Sequence, residues 1–155
     1  MKIICVVGEC YCGKSHLLRK FERISDVSII HLGDIFRKNK FDGVCVDEKT
    51  IANVVSKTIM SGHFHDNIVI DNAFKTVEQA KAILKMAPKD CISIWWVSNK
   101  RTDVDYSSRG REDDANIEAK IKLWRENETE LRKYIEDNGF EIQDIYNTNE
   151  GFLFK

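Results

Sequence analysis

The feature that most restricts the fold of this chain is an eight-residue segment near its start, which reads G-x-x-x-x-G-K-S without deviation. The segment consists of Gly8, Glu9, Cys10, Tyr11, Cys12, Gly13, Lys14 and Ser15. It follows Ile3–Val7, a run rich in β-branched residues that predicts a buried strand. Residues 14–23 after it show a helical pattern. This strand, loop and helix predict a layered α/β fold.

Each residue type in the segment suits the binding of phosphate. Gly8 and Gly13 let the backbone wrap around a phosphate so that amide N–H groups point at it, and the following helix adds its positive dipole end. Lys14 can reach the β- and γ-phosphates of ATP, and the Ser15 hydroxyl can bind Mg²⁺. We therefore expect ATP and Mg²⁺ as cofactors. The alternative, a chance match in a turn, is disfavoured by the strand and helix on either side.

Further along the chain, short apolar runs alternate with helical patterns. The predicted strands cover 3–7, 27–31, 68–70, 91–97 and 141–146, and the predicted helices cover 14–23, 33–39, 47–61, 76–86 and 112–138. This alternation predicts a single domain, residues 1–155, with a five-stranded parallel sheet flanked by helices. Ligands of such folds bind at the carboxyl ends of the strands, where Gly8 and Asp71 are expected.

Composition limits the classes of partner. The chain has 24 Lys and Arg against 25 Asp and Glu, so its net charge of −1 argues against nucleic acid or acidic membranes as partners. No apolar run approaches the roughly 18 residues that span a bilayer. The apolar run at residues 3–7 is followed at once by Gly8 and polar residues, so we expect no signal peptide. Five cysteines, an odd number, fit reduced thiols in a cytoplasmic protein.

Three later segments extend the pattern. Residues 33–37 read G-D-I-F-R, residues 71–80 read D-N-A-F-K-T-V-E-Q-A, and residues 110–114 read G-R-E-D-D. Residues 8–15 are called the phosphate loop below. Together with this loop, and in this order over residues 3–146, the three segments resemble the adenylate kinase family of nucleoside monophosphate kinases. The resemblance implies a P-loop NTPase fold of the nucleoside monophosphate kinase type. The implied reaction is ATP + NMP → ADP + NDP, with nucleotides as the small-molecule substrates.

The resemblance also implies roles for individual residues. Arg37 would hold the phosphate of the monophosphate, and Lys75 stands where the family has an arginine that bridges donor and acceptor phosphates. Arg111 would contact the transferring phosphoryl group, with Asp113 and Asp114 supporting the lid. Cations spread over the phosphate oxygens are what phosphoryl transfer requires, so Lys14, Arg37, Lys75 and Arg111 are the predicted catalytic residues.

The remaining implied roles concern substrate and metal. Gln79 would read the base edge of the acceptor, and Gly33 belongs to the acceptor-binding segment. Asp34 and Asp71 would position Mg²⁺ through its waters, beside Ser15. Lys122 occupies the place of a second phosphate-binding arginine.

Several of these residues have a structural alternative. Thr76-x-x-Gln79 is a capping box, so Gln79 could serve only its own helix. Asp34 could cap a helix, and Asp113 and Asp114 fall in the first turn of a predicted helix, where acids are favoured anyway. Lys122 could form a surface ion pair with Glu118.

The chain also departs from the family pattern. Lysine replaces arginine at two positions, and Asn72 and Phe74 replace a glycine and a proline. The acceptor-binding insert, about 38–61, and the lid, about 99–111, are short. Either Arg101 or Arg109 could supply a lid cation, and the shortened lid leaves the choice open. The acceptor's base and sugar therefore stay open. So do two other functions: a kinase of another small acceptor, and a P-loop ATPase or binding module that acts on a protein or RNA partner.

Overall fold

A computed structural model of the chain describes residues 2–24, 26–38, 46–61, 67–102 and 117–155. The strands are β1 (Lys2–Gly8), β2 (Ser28–His31), β3 (Asn67–Asp71), β4 (Ile92–Asn99), β5 (Glu141–Thr148) and β6 (Gly151–Phe154). The α-helices are α1 (Lys14–Ile24), α2 (Leu32–Lys38), α3 (Glu48–Ser61), α4 (Val77–Leu84) and α5 (Ile117–Asp137). A 3₁₀ turn, Lys89–Cys91, precedes β4.

Within the described ranges the strands form one mixed sheet in the order β2-β3-β1-β4-β5-β6. The first five strands of that order are parallel, so their carboxyl ends lie along one edge. The connection that leaves β1 runs toward β2, whereas the connection that leaves β3 crosses to β4 on the other side of β1. The direction of winding therefore reverses beside β1, which is where open α/β sheets bind their ligands.

The α/β class and the flanking helices are confirmed, but the prediction of a five-stranded, wholly parallel sheet is wrong. A sixth strand, β6, pairs antiparallel with β5, and Thr148 lies opposite Gly151 across a two-residue turn. Gly151 has a φ of +123°, which a glycine adopts readily. The prediction ended the last strand at Tyr146 and so missed this hairpin, because a short edge strand leaves little pattern in the sequence.

Apolar residues cover both faces of the sheet. On β1, Ile3, Cys5 and Val7 belong to one buried cluster together with residues of α3, α4 and α5. Val6, between them, belongs to a second cluster with Leu17 of α1 on the opposite face. This alternation follows from the period of two along a strand, and burial on both faces explains why the strands read as continuous apolar runs.

Helix α5 is fixed to the sheet by Arg132. Its guanidinium donates to both carboxylate oxygens of Asp144 on β5, at 2.7 and 2.9 Å, and lies over the ring of Trp96 on β4. The bidentate pair holds the pKa of Asp144 below its usual value. Trp124 of α5 packs on Trp96 with ring centroids 5.1 Å apart. These contacts set the side of α5 that faces the carboxyl edge of the sheet.

Candidate functional site

The strand, loop and helix predicted around Gly8–Ser15 are confirmed. Strand β1 ends at Gly8, the loop follows, and α1 begins at Lys14. Tyr11 and Gly13 have positive φ values, 66° and 92°, and the Cys12 N–H donates to the Glu9 carbonyl at 3.2 Å. A left-handed conformation is unusual for a bulky residue such as Tyr11 and is found at ligand-binding loops. The sign of φ thus alternates along Tyr11, Cys12 and Gly13. Such alternation turns successive backbone N–H groups toward one concave side of the loop, which suits an anion.

Strands β4 and β5 press against the loop and require its two glycines. A Cβ on Gly8 would overlap the carbonyl oxygen of Val97, and a Cβ on Gly13 would overlap the side-chain amide of Asn147. That amide donates to the Cys12 carbonyl at 3.2 Å, and Asn147 is buried. The loop is thus held by its neighbours in one conformation before any ligand binds, which lowers the entropic cost of binding.

Lys14 bends back over the loop. Its Nζ donates to the carbonyl oxygens of Gly8 and Glu9, each at 2.9 Å, and lies 3.5 Å from Cys12 Sγ. Burial raises the pKa of the Cys12 thiol, so this neighbour stays neutral. The ammonium group is therefore already at the loop, bound to carbonyls that a phosphate could replace as its partner.

Asp71 is the acid that the fold brings to the loop. It ends β3, directly beside β1, and is 5% exposed. The Ser15 hydroxyl donates to Asp71 Oδ2 at 3.2 Å, and His31 Nδ1 lies 3.1 Å from the same oxygen. The His31 Nε2 atom lies 3.2 Å from Glu22 Oε1. Four side chains thus form one hydrogen-bonded chain that starts at the phosphate loop.

His31 was not predicted from the sequence. The hydrogen bond to Asp71, followed in importance by the bond to Glu22, raises its pKa to about 9 against the opposing effect of burial. The imidazole is accordingly protonated at neutral pH and supplies a positive charge beside Asp71. The only sequence signal was its position at the end of the second predicted strand.

The residues at this point fit a magnesium ion that is bound mainly through phosphates. The second oxygen of Asp71, Oδ1, is buried and has no hydrogen-bond partner among the residues that the structure describes, which is costly for a carboxylate unless a ligand or water completes it. Among the described residues, no group of three or more His, Cys, Asp or Glu side chains could hold a metal by itself. Mg²⁺ typically uses one or two protein oxygens, phosphates and waters, so Ser15 and Asp71 suffice.

Residues 72–80 follow the end of β3. Asn72 has a φ of 60°, a left-handed conformation that asparagine tolerates better than most residues. Lys75 lies in the bend before α4, and its backbone N–H donates to Gln79 Oε1 at 2.8 Å. The Thr76 hydroxyl caps α4 by accepting from the Gln79 N–H at 3.2 Å. The predicted start of this helix at Thr76 is therefore confirmed.

The Gln79 side chain is buried and joins two segments. Besides its bond to Lys75, its Nε2 donates to the carbonyl of Val46 at 2.6 Å, next to the start of α3. Base reading by Gln79 stays a prediction, and these contacts give the residue a structural role in addition.

We expect Gln79→Ala to lower the free energy of unfolding by about 1–3 kcal/mol, because the Lys75 N–H and the Val46 carbonyl would lose their partner. Urea denaturation of the variant measures this loss. Lys85→Ala, which removes an exposed side chain at the end of the same helix, is the control and should change stability little. An unchanged midpoint for Gln79→Ala, together with a raised KM for the acceptor, would contradict the structural role.

The other predicted residues are distributed as follows. Gly33 and Asp34 lie in the first turn of α2, with Asp34 exposed, and Arg37 lies near the end of that helix. Arg101 is exposed just after β4, where its N–H donates to Asn99 Oδ1 at 3.0 Å. Arg109, Arg111, Asp113 and Asp114, with most of the predicted lid, lie outside the described residues.

Lys122 is exposed on α5, and its Nζ lies 3.8 Å from Glu126 rather than beside Glu118. Arg125, one turn later, is the α5 residue that contacts the phosphate loop: its Nη2 donates to Glu9 Oε1 at 3.0 Å and its Nε lies 3.4 Å from Oε2. Arg125 was not predicted, since no motif marks it.

No protein-family model matches the chain, and no curated protein matches it. Among the described residues, no helix combines the length and the apolar character that crossing a membrane requires.

Proposed function

We propose that this chain is a P-loop kinase that transfers the γ-phosphate of Mg·ATP to a nucleoside monophosphate or deoxynucleoside monophosphate. The observation that carries the proposal is the loop Gly8–Ser15 at the carboxyl end of β1, with the Ser15 hydroxyl bonded to Asp71 on the neighbouring strand. Loop, lysine, hydroxyl and acid are the parts that bind the phosphates and magnesium of a nucleoside triphosphate.

The transfer needs positioning more than covalent chemistry. The bond from the γ-phosphorus to the β–γ bridging oxygen breaks, and a bond forms to an oxygen of the acceptor's phosphate. That oxygen is already ionised, so no general base is required. Lys14 and Lys75, with Arg37 and Arg111, would balance the charge on the phosphate oxygens, which is the main catalytic contribution in such reactions.

A magnesium ion held here would supply positive charge to the phosphate oxygens of the nucleotide. The Ser15 hydroxyl would provide a direct ligand, and the free Oδ1 of Asp71 would hold a water of the ion. His31 would hold the Asp71 side chain in place through its bond to Oδ2.

Lys75 provides a test of the acceptor side. We expect Lys75→Ala to lower kcat/KM by about 10- to 100-fold, because a charge-assisted contact is worth about 1.5–3 kcal/mol and each 1.4 kcal/mol is tenfold in rate. Lys75→Arg should keep or raise activity, since a guanidinium can hold oxygens of two phosphates at once. Steady-state kinetics and melting curves measure both, with a near-normal melting temperature expected. Wild-type kinetics for Lys75→Ala would instead show that this lysine takes no part in transfer and would favour an ATPase or binding module.

A second candidate function, a P-loop ATPase or binding module, is favoured by one observation. Both ends of the Gln79 amide are engaged by Lys75 and Val46, which leaves less of it for a nucleotide base.

A panel of acceptors separates the two functions through the rate of ADP formation from Mg·ATP. Stimulation of at least about tenfold by one monophosphate is expected, by AMP or dAMP if Gln79 reads the base. A rate that no acceptor changes would favour the second function.

A further inference from the structure

Glu9 and Arg125 form an ion pair that has no role in the proposed function as described above. Glu9 is the second residue of the phosphate loop, and its backbone carbonyl already accepts from Lys14. Its carboxylate is held by the Arg125 guanidinium through two contacts, at 3.0 and 3.4 Å. The pair lies at a cavity of about 310 Å³ between the loop, the end of β4 and α5.

The cavity is polar and borders the phosphate loop. Besides Glu9 and Arg125 it is lined by Cys10 of the loop, Asn99 and Lys100 at the end of β4, and Glu128 of α5. Trp96 and Trp124 also line the cavity. Their ring contact packs α5 against β4 and so places Arg125 close to the loop. A phosphate that enters beside the Glu9 carboxylate competes with it for the nearest cation, because both groups are negatively charged.

We propose, on the basis of the proposed function, that Arg125 exchanges Glu9 for phosphoryl oxygens when Mg·ATP binds, and that it is the phosphate-contacting cation of α5. The Arg125 side chain is 66% exposed, and ion pairs with this exposure contribute little to stability, so the pair is easily opened. A phosphoryl group offers the same planar pairing with more charge. Lys122, which the family resemblance favours for this role, is 77% exposed and lies beside Glu126.

The competing interpretation is a static brace, in which the ion pair only holds α5 against the loop. The two interpretations differ in what Glu9 does. In a brace both partners are needed, so removal of either has the same consequence. In an exchange Glu9 competes with the phosphate, so its removal strengthens nucleotide binding.

The experiment compares Arg125→Ala, Arg125→Lys and Glu9→Gln by calorimetric titration with Mg·ATP and Mg·ADP, and by melting temperature without nucleotide. We expect Arg125→Ala to weaken Mg·ATP binding about tenfold and Mg·ADP binding less, with Arg125→Lys in between. Glu9→Gln should tighten Mg·ATP binding several-fold. Lys133→Ala, an exposed cation two turns later on α5, is the control and should bind both nucleotides as wild type does.

Equal weakening by Arg125→Ala and Glu9→Gln would overturn the exchange in favour of a brace, and unchanged binding by Arg125→Ala would overturn it as well. In both of these cases the wild-type protein still binds Mg·ATP, so the proposed function stands. A wild-type protein that binds no Mg·ATP would overturn the proposed function and this inference with it.

Discussion

Lys14→Ala should lower phosphotransfer by on the order of a thousandfold while the chain still folds, because a cation over the transferring group is lost from a preorganised site. In the free protein the Lys14 ammonium is bound to the carbonyls of Gly8 and Glu9, both of which belong to the loop itself. Its removal leaves the conformation of Gly13 and the strands behind the loop in place, since these depend on Asn147 and Val97.

The measurement is steady-state kinetics with the best acceptor, accompanied by a circular dichroism spectrum. Arg19→Ala is the matched control, because Arg19 is an exposed cation on the same helix, α1. The control should retain wild-type turnover. Near-normal turnover by Lys14→Ala would contradict the phosphate-binding role of the loop.

We expect Asp71→Asn either to raise the Mg²⁺ concentration needed for half-maximal activity or to lower the activity itself. The expected change is near the upper end of the range of about 10- to 100-fold. The substitution preserves shape but removes the charge from a side chain that bonds to Ser15 and leaves Oδ1 free for a water of the ion. A magnesium activation curve measures the effect. Asp90→Asn, an exposed acid in the turn before β4 at the opposite end of the sheet, is the control. Equal activation curves for Asp71→Asn and wild type would contradict the assigned role.

The same variant has a second readout in the pH dependence of stability. Because the folded-state pKa of His31 is raised from 6.5 to about 9, its contribution to stability is fully present below pH 6.5 and is lost as the pH rises through 9. Asp71 is the largest cause of that shift, so Asp71→Asn should lose less stability than wild type between pH 7 and pH 9. Chemical denaturation across this range, without nucleotide, measures the difference. An identical loss in both proteins would show that the His31–Asp71 bond does not form in solution.

The sequence was sufficient where structure depends on neighbours along the chain. The loop Gly8–Ser15, its strand and its helix follow from local pattern, and so does the Thr76 cap of α4. The end of α5 beside Gly139, which has a φ of +73°, was predicted for the same reason.

Pairing across the sheet could not be obtained in this way. His31 meets Asp71 only because β2 lies beside β3 in a register that places the two residues opposite each other. A shift of one residue would turn His31 to the other face of the sheet. Strand β6 was missed because it is four residues long and is defined by its partner, β5.

The direction of side chains on α5 was equally hidden. Lys122 and Arg125 are three residues apart on one helix, and sequence spacing alone does not say which of them faces the phosphate loop. The choice is made by packing: Trp124 lies against Trp96, and Arg132 is bound to Asp144, which rotates α5 so that Arg125 reaches Glu9.

The central claim, that the loop serves transfer of phosphate between nucleotides, is tested most directly by the fate of the γ-phosphate. Mg·ATP labelled in that phosphate is incubated with the purified protein and each nucleoside monophosphate, and the products are separated. We expect one labelled nucleoside diphosphate to form for each ATP consumed, and Lys14→Ala to lower its formation by on the order of a thousandfold. Label that appears only as inorganic phosphate, at a rate independent of every monophosphate, would contradict a kinase function and favour an ATPase.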